Sequence, residues 1–155
     1  MSNNSPYSFD YFIKTLKIMH LLFVLFLSCF LGYIYFSNDV WAVSFENSMT
    51  VVGVTAIVFL AVVVSNYIQK HKLKASKDFK SIKDVFENYQ KAFIIKLAIL
   101  EATTLLCCVV GKTTDNLYFV LLALGLVIYF ISLRPSKKGV RAELSLNSET
   151  ENQLS

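Results

Sequence analysis

Residues 92–111 read AFIIKLAILEATTLLCCVVG, an apolar run interrupted by Lys96 and Glu101. Whether this stretch crosses a membrane decides the architecture. Its 20 residues span about 30 Å as a helix, the thickness of a hydrocarbon core. Three blocks of similar length accompany it. They are 18–36, IMHLLFVLFLSCFLGYIYF; 50–68, TVVGVTAIVFLAVVVSNYI; and 117–133, LYFVLLALGLVIYFISL. None of these three contains Asp, Glu, Lys or Arg.

The basic residues test whether 92–111 is a span. Lys14 and Lys17 precede the first block, while the stretch 37–49 holds no Lys or Arg, only the acids Asp39 and Glu46. Lys70, Lys72, Lys74, Lys77, Lys80, Lys83 and Lys91 fill the connection 69–91. Lys112 alone lies in the short turn after the third block, and Arg134, Lys137, Lys138 and Arg141 follow the fourth. If all four blocks cross, thirteen of the fifteen basic residues share one side with both termini. The positive-inside rule makes that side cytoplasmic. Omitting the third block would put basic segments on both sides.

Composition agrees with lipid as the solvent. Hydrophobic residues make up 55% of the 155-residue chain, mean hydropathy is +0.53, and the 17% of charged residues fall almost wholly between the blocks. Soluble domains instead spread their apolar residues at helical or strand periods. The net charge of +4 is spent flanking the spans, which argues against nucleic acid as a partner. The first block exceeds the 7–15 apolar residues of a signal peptide, so it reads as a retained helix. Tyr33, Tyr35, Trp41 and Tyr118 fall near the predicted outer boundary, with Tyr67 and Tyr89 near the inner one, where amphipathic rings are favoured.

The expected fold is therefore all-α, an integral membrane four-helix bundle of two transmembrane hairpins. Residues 1–17 form a cytoplasmic segment, 18–133 the transmembrane domain, and 134–155 a cytoplasmic, partly disordered tail. The location is the bacterial cytoplasmic (inner) membrane, crossed several times. In the inner connection, Phe79, Ile82, Phe86, Tyr89 and Phe93 recur at three- and four-residue steps. This predicts an amphipathic helix running into the third span, near the bilayer surface or packed on the bundle's inner end. Lys70, Lys72, Lys74, Lys77, Lys80 and Lys83 are candidate contacts for anionic headgroups, each contributing about 1 kcal/mol.

Glu101 most needs a reason. An acid at mid-span costs about 2.5–3.5 kcal/mol on insertion scales. Hydrocarbon favours its neutral form, or it finds a donor. Thr104 and Cys108 share its helix face, and Ser28 and Cys29 lie at similar depth in the first span. An inward cluster of His20, Asn66, Lys96 and Glu101 is open to the sequence. A functional reading makes Glu101 a proton or cation site; a structural reading makes it a hydrogen-bonded tie between helices. Small residues four apart, such as Ser28 with Gly32 and Ala98 with Ala102, suit close helix packing within a bundle or an oligomer.

Cys29, Cys107 and Cys108 all lie in apolar blocks without metal-ligand companions, and read as packing residues. No phosphate loop, HExxH, GxSxG or Ser-x-x-Lys pattern occurs. The segments outside the spans are too short for a catalytic domain. No enzyme, metal or cofactor is expected.

The stretches YQKAFIIKLAILE (89–101), GKTTDN (111–116) and LRPSKKGVRAELSL (133–146) resemble a family of small four-span membrane proteins common in the Bacteroidota. That resemblance implies the same membrane architecture and brings no activity. The segment IIKLAILEATTLLCCVV is also similar to the carboxylate-bearing helix of rotary ATP synthase c subunits. Those are two-helix hairpins with a glycine-rich first helix, whereas this chain has five glycines and a long basic connection. The likeness reads as convergence, and implies that a glutamate so placed can carry protons. The expected role is an accessory, assembly or structural partner in the membrane, acting with a membrane protein or as a homo-oligomer. The alternative is a small oligomeric proton-coupled transporter or channel using Glu101.

Overall fold

A computed structural model describes residues 9–37, 40–45, 47–75 and 81–144, the side chain of residue 75 excepted. These residues form five helices: α1 (Phe9–Phe36), α2 (Ser48–Ala75), α3 (Ile82–Thr113), α4 (Leu117–Ser132) and α5 (Lys137–Leu144). Three of them, α1, α2 and α3, are long and apolar enough to cross a membrane. Counting α4 with α5, which follows it across an 82° bend, brings the number to four. Lys77, Lys80, Phe79 and the tail from 145 onward lie outside the described residues.

Each apolar block falls on a helix, and three of the helices run well past their blocks. α3 is the longest at 32 residues, about 48 Å. The amphipathic stretch and the third span are thus one unbroken helix from Ile82 onward. Of the two settings expected for that stretch, the helix takes the packed one. Val85, Phe86, Tyr89 and Phe93 are buried, largely because α1 starts at Phe9, nine residues before its apolar block. Phe9, Phe12, Ile13 and Leu16 form a buried stripe at helical spacing. Phe12 stacks on Phe86 at 4.4 Å between ring centroids and meets Tyr89 edge-on at 5.9 Å.

α3 is the axis of the bundle. It packs against α1, α2 and α4, and α1 also meets α4. The expected first hairpin is not a principal packing pair: α1 packs on α3 and α4, and α2 on α3, rather than on one another. The connection between α1 and α2 explains how these chain neighbours stay apart. Ala42 forms an isolated parallel bridge with Asn116, and the Leu117 N–H donates to the Ala42 carbonyl at 2.9 Å. The Asn116 side chain accepts the Tyr118 N–H at the start of α4 and donates to the Ser44 carbonyl at 2.6 Å. One buried asparagine thereby caps α4 and fastens the α1–α2 connection to the α3–α4 turn. Asp115, just before it, holds φ 48°, a left-handed conformation that aspartate tolerates. Gly111 lets the hairpin close, since an added Cβ would sit 3.0 Å from Val120 Cγ2.

The outward faces are apolar. Leu21, Leu22 and Phe26 of α1, Phe59 and Leu60 of α2, and Leu121 and Ile128 of α4 are all exposed. In water so much contiguous apolar surface drives association, whereas a bilayer solvates it.

Candidate functional site

The N-terminal ends of α1 and α3 gather with the C-terminal ends of α2 and α4, and α5 folds back beneath them. Val140 and Leu144 of α5 are buried, Lys137 pairs with Asp10 at 2.7 Å, and the Arg141 guanidinium lies 5.1 Å from the Phe9 ring centre. Ser136 starts this helix: its Oγ accepts the Gly139 N–H and its carbonyl the Val140 N–H. The first part of the expected tail is therefore a docked helix.

Docking brings Glu143 to a buried polar chain. Lys96 Nζ donates to Gln69 Oε1 at 2.8 Å, and Gln69 Nε2 donates to Glu143 Oε2 at 3.3 Å. The Tyr89 hydroxyl donates to the same carboxylate oxygen at 2.7 Å. Lys96 is only 6% exposed, because the α2–α3 interface closes over its stem. Beside this chain lies a cavity of about 350 Å³ walled by Asn66, Gln69, Lys70, Lys74, Lys96 and Glu143. A smaller one of about 180 Å³ opens between Lys96, Glu143 and the α4–α5 bend at Pro135.

Of the four residues weighed as one polar cluster, Asn66 and Lys96 line the same cavity. Asn66 Nδ2 donates to the Val62 carbonyl and to the Tyr129 hydroxyl at 2.9 Å, tying α2 to α4. His20 lies apart: its Nε2 donates to the Phe130 carbonyl at 2.8 Å, with the ring stacked on Phe130. That carbonyl lies in the last turn of α4, where helical acceptors lose their i+4 donors, and it also accepts the Leu133 N–H at 3.1 Å. Thr104 is fully buried and gives its hydroxyl to the Leu100 carbonyl at 2.8 Å.

Glu101 joins none of these. Among the described residues it makes no hydrogen bond or ion pair, and it is part-exposed on the side of α3. Beside it Ala98, Ala102, Leu106 and Val109 form the outward stripe of that helix. Ser28 and Cys29 also leave it alone: Ser28 lines an apolar groove between α1 and α4, and Cys29 is exposed.

Of the headgroup candidates, Lys70 and Lys74 stand exposed at the mouth of the larger cavity, and Lys83 lies 3.9 Å from Glu87. The Lys72 carbonyl accepts from Asn88 Nδ2 at 2.8 Å, pinning the end of α2 to the start of α3. At the opposite end Lys112 sits 5.1 Å from the Tyr33 ring centre, Trp41 stacks on Tyr35, and Tyr118 bonds Thr55 at 2.8 Å.

Gln69 and Glu143 escaped the sequence reading. Gln69 had a signal, lying on the α2 face of Asn66 and Leu73. Glu143 had only the Val140–Leu144 spacing behind Ser136, a short helical pattern in a polar tail. Among the described residues, no three His, Cys, Asp or Glu side chains come together as metal ligands. No family model matches this chain, and neither a curated protein nor a solved structure does.

Proposed function

We propose that the chain is a four-span subunit of the bacterial cytoplasmic membrane, with both ends in the cytoplasm, that works without catalysis as an assembly or accessory partner. Glu101 carries this reading. A mid-membrane carboxyl that no group among the described residues engages, set beside Ala98 and Ala102 on an outward helix face, is satisfied when a second polypeptide packs there. Small residues allow close approach, and a polar group supplies the bond that lipid cannot. The interior polar groups support the same reading: His20, Asn66, Lys96 and Thr104 all serve bonds that join or stiffen helices. The surrounding lysines orient the bundle and meet the anionic leaflet.

Mild extraction and copurification test the proposal. A stoichiometric membrane partner, or a second copy, is expected to travel with the wild-type chain. Ala98→Leu with Ala102→Leu should release it, while the helical content of the chain is kept. A wild-type chain that emerges monomeric and alone overturns the reading. The same unengaged carboxyl favours a second reading, a proton-coupled transporter or channel. That reading requires proton flux in proteoliposomes that Glu101→Gln abolishes with the fold intact, and it falls if the wild type passes none.

A further inference from the structure

We propose that the cavity between the inner ends of α2 and α3 binds a phosphate anion, gripped by Lys96 at its closed end and by Lys70 and Lys74 at its mouth. The ligand is the phosphodiester of an anionic lipid headgroup or a free phosphate; both present the same charged oxygens.

Three observations carry the assignment. The first is a charge mismatch. Among the described residues the cavity wall holds three ammonium groups and one carboxylate, Glu143. The second is that this carboxylate, though it shares the cavity wall with Lys96, makes no direct bond to it. Among the described residues Lys96 has no ion pair within 4.0 Å, and its hydrogen bond goes to the uncharged amide oxygen of Gln69. Glu143 spends itself on the Tyr89 hydroxyl and the Gln69 amide instead. A buried ammonium has three protons to donate, and one neutral acceptor leaves room for an anion to bond it directly.

The third observation is place and size. Lys96 lies four residues inside the start of the third apolar block, about 6 Å along the helix. Lys70 and Lys74, one turn apart on α2, mark the exposed rim. The site therefore faces the level where headgroup phosphates lie. A volume of about 350 Å³ accepts a phosphate with several waters, each needing about 30 Å³. Lysines are suited to such a ligand as mobile point charges. Glu143, carried in by α5, shares the wall and opposes the anion. Nothing here depends on the partner reading, because Glu101 lies outside this cavity.

The test uses the full chain in dodecyl maltoside, with thermal unfolding followed by helical circular dichroism at constant ionic strength. The additives are dioctanoyl phosphatidylglycerol, dioctanoyl phosphatidylcholine and inorganic phosphate. An occupied site raises the midpoint with ligand concentration. Movement with phosphatidylglycerol but not inorganic phosphate assigns a lipid headgroup; movement with inorganic phosphate assigns a free phosphate. Lys70→Gln with Lys74→Gln, both exposed and so neutral for folding, should weaken the response on the order of tenfold. Glu143→Gln keeps an acceptor for Tyr89 and removes the opposing charge, so binding should tighten about fivefold. The proposal is overturned if neither anion moves the midpoint, if phosphatidylcholine moves it equally, or if the double lysine variant responds like wild type.

Discussion

His20 shows how a polar residue within an apolar span is made structural. Its ring nitrogen caps a carbonyl at the end of α4, and its ring stacks on Phe130 and lies tilted 6.4 Å from the Phe93 ring. Replacing it with leucine keeps roughly the volume and removes the donor. The Phe130 carbonyl then depends on the Leu133 N–H at 3.1 Å, a bond of the tighter, weaker i to i+3 kind. His20→Leu should therefore lower unfolding stability by about 1–3 kcal/mol, read as a shift in an SDS or thermal unfolding curve; an unchanged curve would make His20 a passive filler. The position of His20, Asn66 and Lys96 along their helices was legible in the sequence, since each sits at a fixed place within an apolar block. Which of them meet was not, because hydropathy says nothing of a helix's rotation about its axis. Asn66 and Lys96 turn toward one cavity, His20 toward α4, and Glu101 toward the outer flank.

Among the elements, α5 was the least legible. Eight residues make a helix that is marginal alone in water, so its existence depends on the surface it covers. Hydropathy does not see it, because only Val140 and Leu144 are buried apolar anchors and four of the other six residues are charged. The exposed Lys137–Asp10 pair adds little, about 0–1 kcal/mol. Val140→Asp places an unpaired carboxylate where the wild-type side chain is 1% exposed. Docking and helix should then be lost together. Tryptic cleavage after Lys137, Lys138 and Arg141 should accelerate at least about tenfold, since a docking loss of 1.4 kcal/mol or more opens the segment by that factor, while the spans stay helical. Equal cleavage of the variant and wild type would show that α5 gains nothing from its bed. The early start of α1 has the same origin. Its first turns are amphipathic rather than uniformly apolar, and Phe9, Phe12, Ile13 and Leu16 announce a packed stripe that a search for spans passes over.

At the scale of the molecule, one choice governs the rest: the side of the membrane on which the gathered helix ends lie. The sequence puts thirteen basic residues with the termini, and the described helices collect most of them at one end, leaving Lys112 at the other. Were the bundle reversed, Lys70, Lys74 and the basic turns flanking α5 would face the less anionic, positively polarised side of the membrane. Each misplaced charge would forgo about 1 kcal/mol of attraction to the cytoplasmic leaflet. Over several lysines that preference exceeds any single bond within the bundle, so orientation should tolerate point mutation. It should yield only when the basic connection is neutralised wholesale. A fluorescent protein fused at the C-terminus should glow, and alkaline phosphatase at the same position should stay inactive. Alkaline phosphatase inserted within 40–45 should be active. Replacing Lys70, Lys72, Lys74, Lys77, Lys80 and Lys83 together with glutamine, while placing lysines in 40–45, should begin to exchange those reports. A C-terminal fusion active as phosphatase in the wild type would remove the cytoplasmic orientation, and with it the headgroup role of those lysines at the cytoplasmic leaflet.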